Sequence, residues 1–118
     1  MAPSSTLPLP LFDELRERLA PLVAAHGFRP GPVEYEAVNA FAEYWRTGLR
    51  LRVVWEGNEQ AIWIDAAPEA DAQIIGRWLD IEWAAAGERL PLNHDLTPDR
   101  VDRLLGAVER FLAARPRR

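Results

Sequence analysis

Two groups of side chains in this chain are of types that could do chemistry. The first is Trp45, Arg50, Arg52 and Trp63, in the stretch AEYWRTGLRLRVVWEGNEQAIWID at residues 42–65, which holds three of the five tryptophans and three arginines. On one face these four would alternate aromatic rings with cations, each contact stabilising by about 0.5–1 kcal/mol when exposed. Trp and Arg are also the residues most enriched where a few side chains carry a protein–protein contact. Paired guanidiniums are well shaped to hold a carboxylate or phosphate. A binding face is one reading; a ladder that only braces the sheet accounts for the same residues and is the commoner case.

The second group is titratable. His26 falls on the apolar side of the first helical pattern, where it is either a general base or ligand, or a histidine bonding a carbonyl near a helix end. His94 and Asp95 are adjacent in a loop and could begin a metal site, but turn or capping roles are far more frequent for such a pair, and no metal is expected. Glu82 lands among Ile75, Trp78 and Leu79 if a helix runs on from Pro68. A buried carboxylate there must find a partner or take up a proton, and Arg50 or Arg52 could supply the partner. Alternatively, Gly76 or Leu79–Asp80 breaks that helix and rotates Glu82 to solvent.

Most catalytic classes fail on inventory. The chain has no cysteine and no lysine, all fourteen cations being arginine. Its serines are Ser4 and Ser5, and its threonines Thr6, Thr47 and Thr97, which fall in an N-terminal arm, a turn and a helix cap. Nucleophilic Ser, Cys or Lys catalysis is not expected on these grounds. No glycine-rich phosphate loop or dinucleotide fingerprint occurs, so no cofactor is expected. The formal charge of −4 argues against nucleic acid as a partner, the basic end Arg115-Pro-Arg-Arg118 notwithstanding. No apolar run approaches a membrane span, and the start MAPSSTLPLPLF lacks the basic region of a signal peptide. A cytoplasmic protein is the expectation.

The elements that position the first group can be read from turns. Thr47-Gly48 and Gly57-Asn58 each suit a two-residue hairpin. The first turn sets Tyr44 opposite Leu51, Glu43 opposite Arg52 and Trp45 opposite Arg50. The second would set Val53 opposite Ile62, Leu51 opposite Ile64, Arg52 opposite Trp63 and Arg50 opposite Asp65. Together they sort Tyr44, Leu49, Leu51, Val53, Trp55, Ile62 and Ile64 onto one face. Phe41, Glu43, Trp45, Arg50, Arg52, Val54, Trp63 and Asp65 fall on the other. A slip of one residue would mix the two sets.

The flanking segments are helical or extended. Leu11, Phe12, Leu15, Leu19, Leu22, Val23 and His26 fall within an arc of about 120°. Pro21 should kink or divide this helix, and Gly27 should cap it, with Phe28 packing back. Pro30-Gly-Pro32 reads as a breaker and Val33–Ala40 as a half-buried strand. A helix with Ile74, Ile75, Trp78, Leu79, Ile81 and Ala85 on its apolar face is expected from Pro68 to about Gly87. After a loop, Thr97 caps a last helix from Pro98 to about Ala113, through Val101, Leu104, Leu105, Val108, Phe111 and Leu112.

The expected organisation is a flexible arm at 1–10, one α+β domain at 11–114, and a basic tail at 115–118. The domain comprises an N-terminal helix, a three- to four-stranded antiparallel meander and two C-terminal helices. The function this supports is a non-enzymatic protein-interaction module, a homodimer or a regulatory or immunity-type binder, using the Trp/Arg face or an edge strand, with Glu82 included in the candidate binding set. The alternatives are a domain holding a small anionic ligand in a Trp/Arg-lined pocket, and a hydrolase or isomerase built on His26, Glu82 or His94.

Overall fold

A computed structural model of the chain describes residues 9–74, 76–95 and 97–115. Most of the expected arm, Ile75 and Leu96 in the segments either side of the second helix, and residues 116–118 of the basic tail therefore lie outside the described residues. The fold is α+β. Helix α1 (Leu9–Ala25) leads into strands β1 (Arg29–Tyr35), β2 (Asn39–Arg46), β3 (Leu49–Glu56) and β4 (Ala61–Pro68), then a short β5 (Leu79–Asp80), α2 (Ile81–Ala86) and α3 (Pro98–Ala113). The strands form one antiparallel sheet in the order β1-β2-β3-β4-β5. Five strands exceed the three or four expected, because the two-residue β5 extends the meander beyond β4. Among the described residues no helix is long and apolar enough to cross a membrane.

Helix α1 buries Phe12, Leu15, Leu19 and Val23 against the sheet. It runs through Pro21 undivided. Its end is built as the sequence implies: Gly27 has φ 89°, the Phe28 N–H donates to Val23 O and the Gly27 N–H to Ala24 O. This paired capping satisfies two orphan carbonyls, and Phe28 is buried beneath the last turn. Helix α3 has the expected bounds, with Val101, Leu104, Val108, Phe111 and Leu112 buried. Thr97 sits at its N-cap position but bonds no helix N–H. Its hydroxyl donates instead to Asp99 at 2.7 Å, which holds that carboxyl below its ordinary value.

Three expectations fail, each for a local reason. Pro30-Gly-Pro32 does not break the chain; β1 passes through it with a bulge between Pro30 and Val33. Proline is tolerated there because β1 is an edge strand, where a missing donor faces solvent. The strand expected to reach Ala40 ends at Tyr35 instead. Glu36 and Asn39 exchange both backbone hydrogen bonds and close a tight turn before β2. The second hairpin is a four-residue turn, 57–60, not a two-residue one. Gly57 N–H donates to Val38 O at 2.6 Å, and Gln60 adopts φ 53° with its side-chain amide donating to Gly57 O.

That longer turn moves the β3–β4 pairing by two residues. Val53 faces Ile64, Trp55 faces Ile62, Arg52 faces Asp65, and Leu51 faces Ala66. A shift of two preserves side-chain parity, so both faces keep the composition read from sequence. Leu51, Val53, Trp55, Ile62 and Ile64 are all buried on the helix-covered face.

The helix expected from Pro68 is the largest departure. Pro68 still belongs to β4, opposite Leu49. One 3-10 turn follows at Glu69–Asp71, and Gly76 takes φ 89°. Leu79 and Asp80 then pair with Ala66 and Asp65 as β5. The Asp80 carboxylate accepts from the Glu82 N–H at 2.8 Å, so a six-residue helix starts only at Ile81. Ile74 and Leu79 are consequently exposed.

Candidate functional site

The outer face of the sheet carries the ladder in three cross-strand rows. Phe41, Val54 and Trp63 form one row, Glu43, Arg52 and Asp65 the next, and Trp45, Arg50 and Ala67 the third. The helices pack on the opposite face. Val54 and Ala67 are buried, yet they lie outside the core cluster that joins sheet to helices.

Trp45 is the most closely held of these. Its indole N–H donates to Glu43 Oε1 at 2.7 Å, and its ring lies between the Arg50 guanidinium at 4.4 Å and that of Arg29 at 5.8 Å. It also lies against Gly31, where an added Cβ would come within 2.9 Å of the indole. Glycine in the bulge is thus what lets the edge strand pass beneath the ring. Arg50 is only loosely ion-paired, 3.9 Å from both Glu43 and Glu69.

Arg52 is bound more tightly. It is 3.1 Å from Asp65 Oδ2 and stands 4.1 Å over the Trp78 ring. The Trp63 indole N–H donates to the same Asp65 oxygen at 3.2 Å, and the Trp63 ring stacks on His94 at 5.1 Å. His94 Nε2 is 2.9 Å from Asp80 Oδ2. Burial raises the Asp65 carboxyl above its ordinary value; hydrogen bonds from Arg52 and Trp63 oppose the shift, and the nearby Asp80 adds to it.

Comparison with protein families, with curated proteins and with solved structures finds no match for this chain. The site must therefore be judged on its own geometry.

Glu82 does not join the ladder. It pairs with Arg100 of α3, Nη1 to Oε1 at 2.7 Å, although the angles are too oblique for a hydrogen bond. Arg100 is wholly buried, and its Nε donates to Ile62 O at 3.1 Å. An arginine does answer Glu82, but from α3 and not from Arg50 or Arg52, and although the helix starts only at Ile81, Glu82 is not turned out to solvent, its side chain being 18% exposed. One ligand atom each of Asp80, Glu82 and His94 lie within 4.8 Å of one another, a donor set of two carboxylates and an imidazole. Arg100 already supplies the positive charge such a set would take from a cation.

Trp45, Arg50, Arg52 and Trp63 thus share one face, while Glu82 and His26 lie elsewhere. His26 follows the end of α1, half-buried, and its carbonyl accepts from Arg46 at 3.0 Å. Sequence reading missed Arg29, Trp78, Asp80 and Arg100. Only Arg100 left a usable signal: it stands four residues before Leu104 and eight before Val108, on the apolar stripe of its helix.

Proposed function

We propose that this protein is a non-enzymatic interaction module whose outer sheet face pairs with a second copy of the chain. The observation that carries this is Trp45, half-buried on a face no helix covers and clamped by Arg29, Arg50 and Glu43. A rigid aromatic side chain loses little freedom on binding, and Trp is the residue most often found at the energetic centre of an interface. The charges near it are self-complementary: Arg29, Arg50 and Arg52 are matched by Glu43, Asp65 and Glu69. A two-fold contact brings the same patch to itself and so requires such matching. The chain as a whole is at −4, so this locally balanced face is suited to meet its own copy.

The small-anion reading of the same face is weaker, because Arg52 is already paired with Asp65 and stacked on Trp78. The enzymatic reading loses Glu82 to Arg100 and leaves His94 bonded to Asp80, with no Ser, Cys or Lys nucleophile among the described residues.

Sedimentation velocity from low micromolar to near-millimolar protein tests the proposal. Wild type should shift from monomer to dimer. Trp45→Ala should weaken the dimer by about 30-fold or more, as loss of a central interface Trp does. Arg50→Glu, which removes two loose ion pairs and the guanidinium contact with the Trp45 ring, should also give monomer while remaining folded. A wild type that stays monomeric throughout, or a dimer untouched by both changes, would refute it.

A further inference from the structure

At the Thr47–Gly48 end of the sheet the helix-facing side is not filled. Its last cross-strand rows are Tyr44–Leu51–Ala66–Leu79 and Arg46–Leu49–Pro68. Helices α1 and α3 both stop here, at Ala25 and Ala113, and α2 offers only Ala84. Between them lies a cavity of about 840 Å³. Its apolar walls include Leu49, Ala66, Leu79, Ala84 and Phe111. It is a recess open to solvent, and its size falls in the range of ligand pockets. The room exists because small side chains, Ala66 and Ala84, stand where larger ones would close it. Leu79 is 41% exposed beside it, apolar surface that a ligand would cover.

Among the described residues, the charged ones lining this recess are arginines: Arg46, Arg77 and Arg115. In a chain of net charge −4, a recess whose described lining has three guanidiniums and no carboxylate reverses the surrounding sign. Part of this charge has a structural use. Arg46 donates to His26 O at 3.0 Å and Arg115 O at 3.1 Å, so it answers the partial negative charge where both helices end. Arg115 lies 4.0 Å over the Phe111 ring, which places its head at the cavity wall. Arg77 is exposed and makes no ion pair among the described residues, so helix capping does not account for it.

We infer that this cavity binds an amphipathic anion, a carboxylate or phosphate head on a compact apolar body. Arg77 and Arg115 face the head, with Arg46 behind them, and the body lies between Leu49, Leu79 and Phe111. A guanidinium matches either head, so the cavity's chemistry specifies the charge and the apolar body together. This site is on the opposite side of the sheet from Trp45 and does not depend on dimer formation.

Isothermal titration of the full chain with decanoate, decyl phosphate, decanol and inorganic phosphate, each below any micelle concentration, tests it. Decanoate or decyl phosphate should bind at one saturable site, and the tighter of the two identifies the head. Decanol should bind at least about tenfold more weakly, a difference of one good charge contact, and inorganic phosphate not measurably. Arg77→Glu should weaken the anion about tenfold or more with unfolding unchanged. Ala84→Leu should abolish binding by filling the space; if it does not fold, Arg77→Glu carries the test. Trp45→Ala should bind as wild type does. Equal binding of decanol and decanoate, no saturable binding of either anion, or an Arg77→Glu variant with wild-type affinity would each overturn the inference.

Discussion

Glu82→Gln isolates the one wholly buried cation in the described structure. The change keeps the size of the side chain and removes only its charge, so no cavity confuses the result. Arg100 has no exposed surface, whereas Glu82 retains 18% of its side-chain exposure. At their 2.7 Å separation the charge attraction is about 6 kcal/mol for an effective dielectric of about 20. Releasing Glu82 from its own desolvation offsets part of that. Losing one partner of a buried pair typically costs about 3–5 kcal/mol net, since the other charge is left in the interior. The hydrogen bond from Arg100 Nε to Ile62 O survives the change, so the loss belongs to the ion pair alone.

Urea unfolding followed by tryptophan fluorescence reads this directly, and in a thermal scan it corresponds to a fall of about 10–25 °C for a domain of this length. Arg100→Met combined with Glu82→Gln should recover most of the loss, because neither charge then remains and an apolar side chain fills the space. A Glu82→Gln variant within about 1 kcal/mol of wild type would refute the reasoning, as would a double variant no better than the single one. Either result would mean that Arg100 reaches water or another acceptor.

Three further outcomes follow from the packing. Leu51, fully buried between Tyr44 and Ala66, should lose about 2–5 kcal/mol on change to Ala; a loss below about 1 kcal/mol would remove it from the core. Thr97→Ala should cost less than about 0.5 kcal/mol, since its hydroxyl serves exposed Asp99 and not the helix backbone; a full-cap loss near 1 kcal/mol in urea unfolding would contradict that. Asp65 is raised chiefly by burial, so it holds its proton more tightly folded than unfolded. Its contribution is therefore greatest at low pH and declines as pH rises from the unfolded value through the folded one. Wild-type stability relative to Asp65→Asn should fall across that acidic window, and a rise would show that Arg52 outweighs burial.

The sheet faces were readable because parity is forgiving. The Gly57-Asn58 reading placed β4 two residues out, yet Leu51 stayed inside and Arg52 outside, since two is the strand period. Helix α3 was readable because its stripe is long and Pro98 marks its start. The segment 68–80 was not. Ile74, Trp78 and Leu79 fit a helical spacing, but backbone pairing of Leu79 and Asp80 with β4 overrides that pattern. Edge pairing leaves no mark in local sequence. The partner of Glu82 was unreadable for a related reason: Arg100 is eighteen positions away, and only the fold brings the two together. Reading Glu82 as a buried carboxylate in need of an arginine was sound; choosing among fourteen arginines required coordinates.

With no lysine in the chain, arginine serves two opposed purposes on the two sides of one sheet. Arg50 and Arg52 each stand over a tryptophan and near a carboxylate, which leaves the outer face nearly neutral and rigid. Such a surface can be covered by another protein at little desolvation cost beyond what the monomer has already met. Arg77 and Arg115 stand at an apolar recess with no acid in its described lining. Closing that recess on itself would crowd like charges, so a bound anion would relieve repulsion while covering Leu79 and Phe111. The two proposed sites can therefore be tested separately by one charge reversal each. Arg50→Glu opposes the self-complementary face and leaves the cavity intact, whereas Arg77→Glu places a carboxylate against the anion and leaves the ladder untouched. A chain that loses both activities with either change would show instead that dimer and ligand are coupled through the sheet.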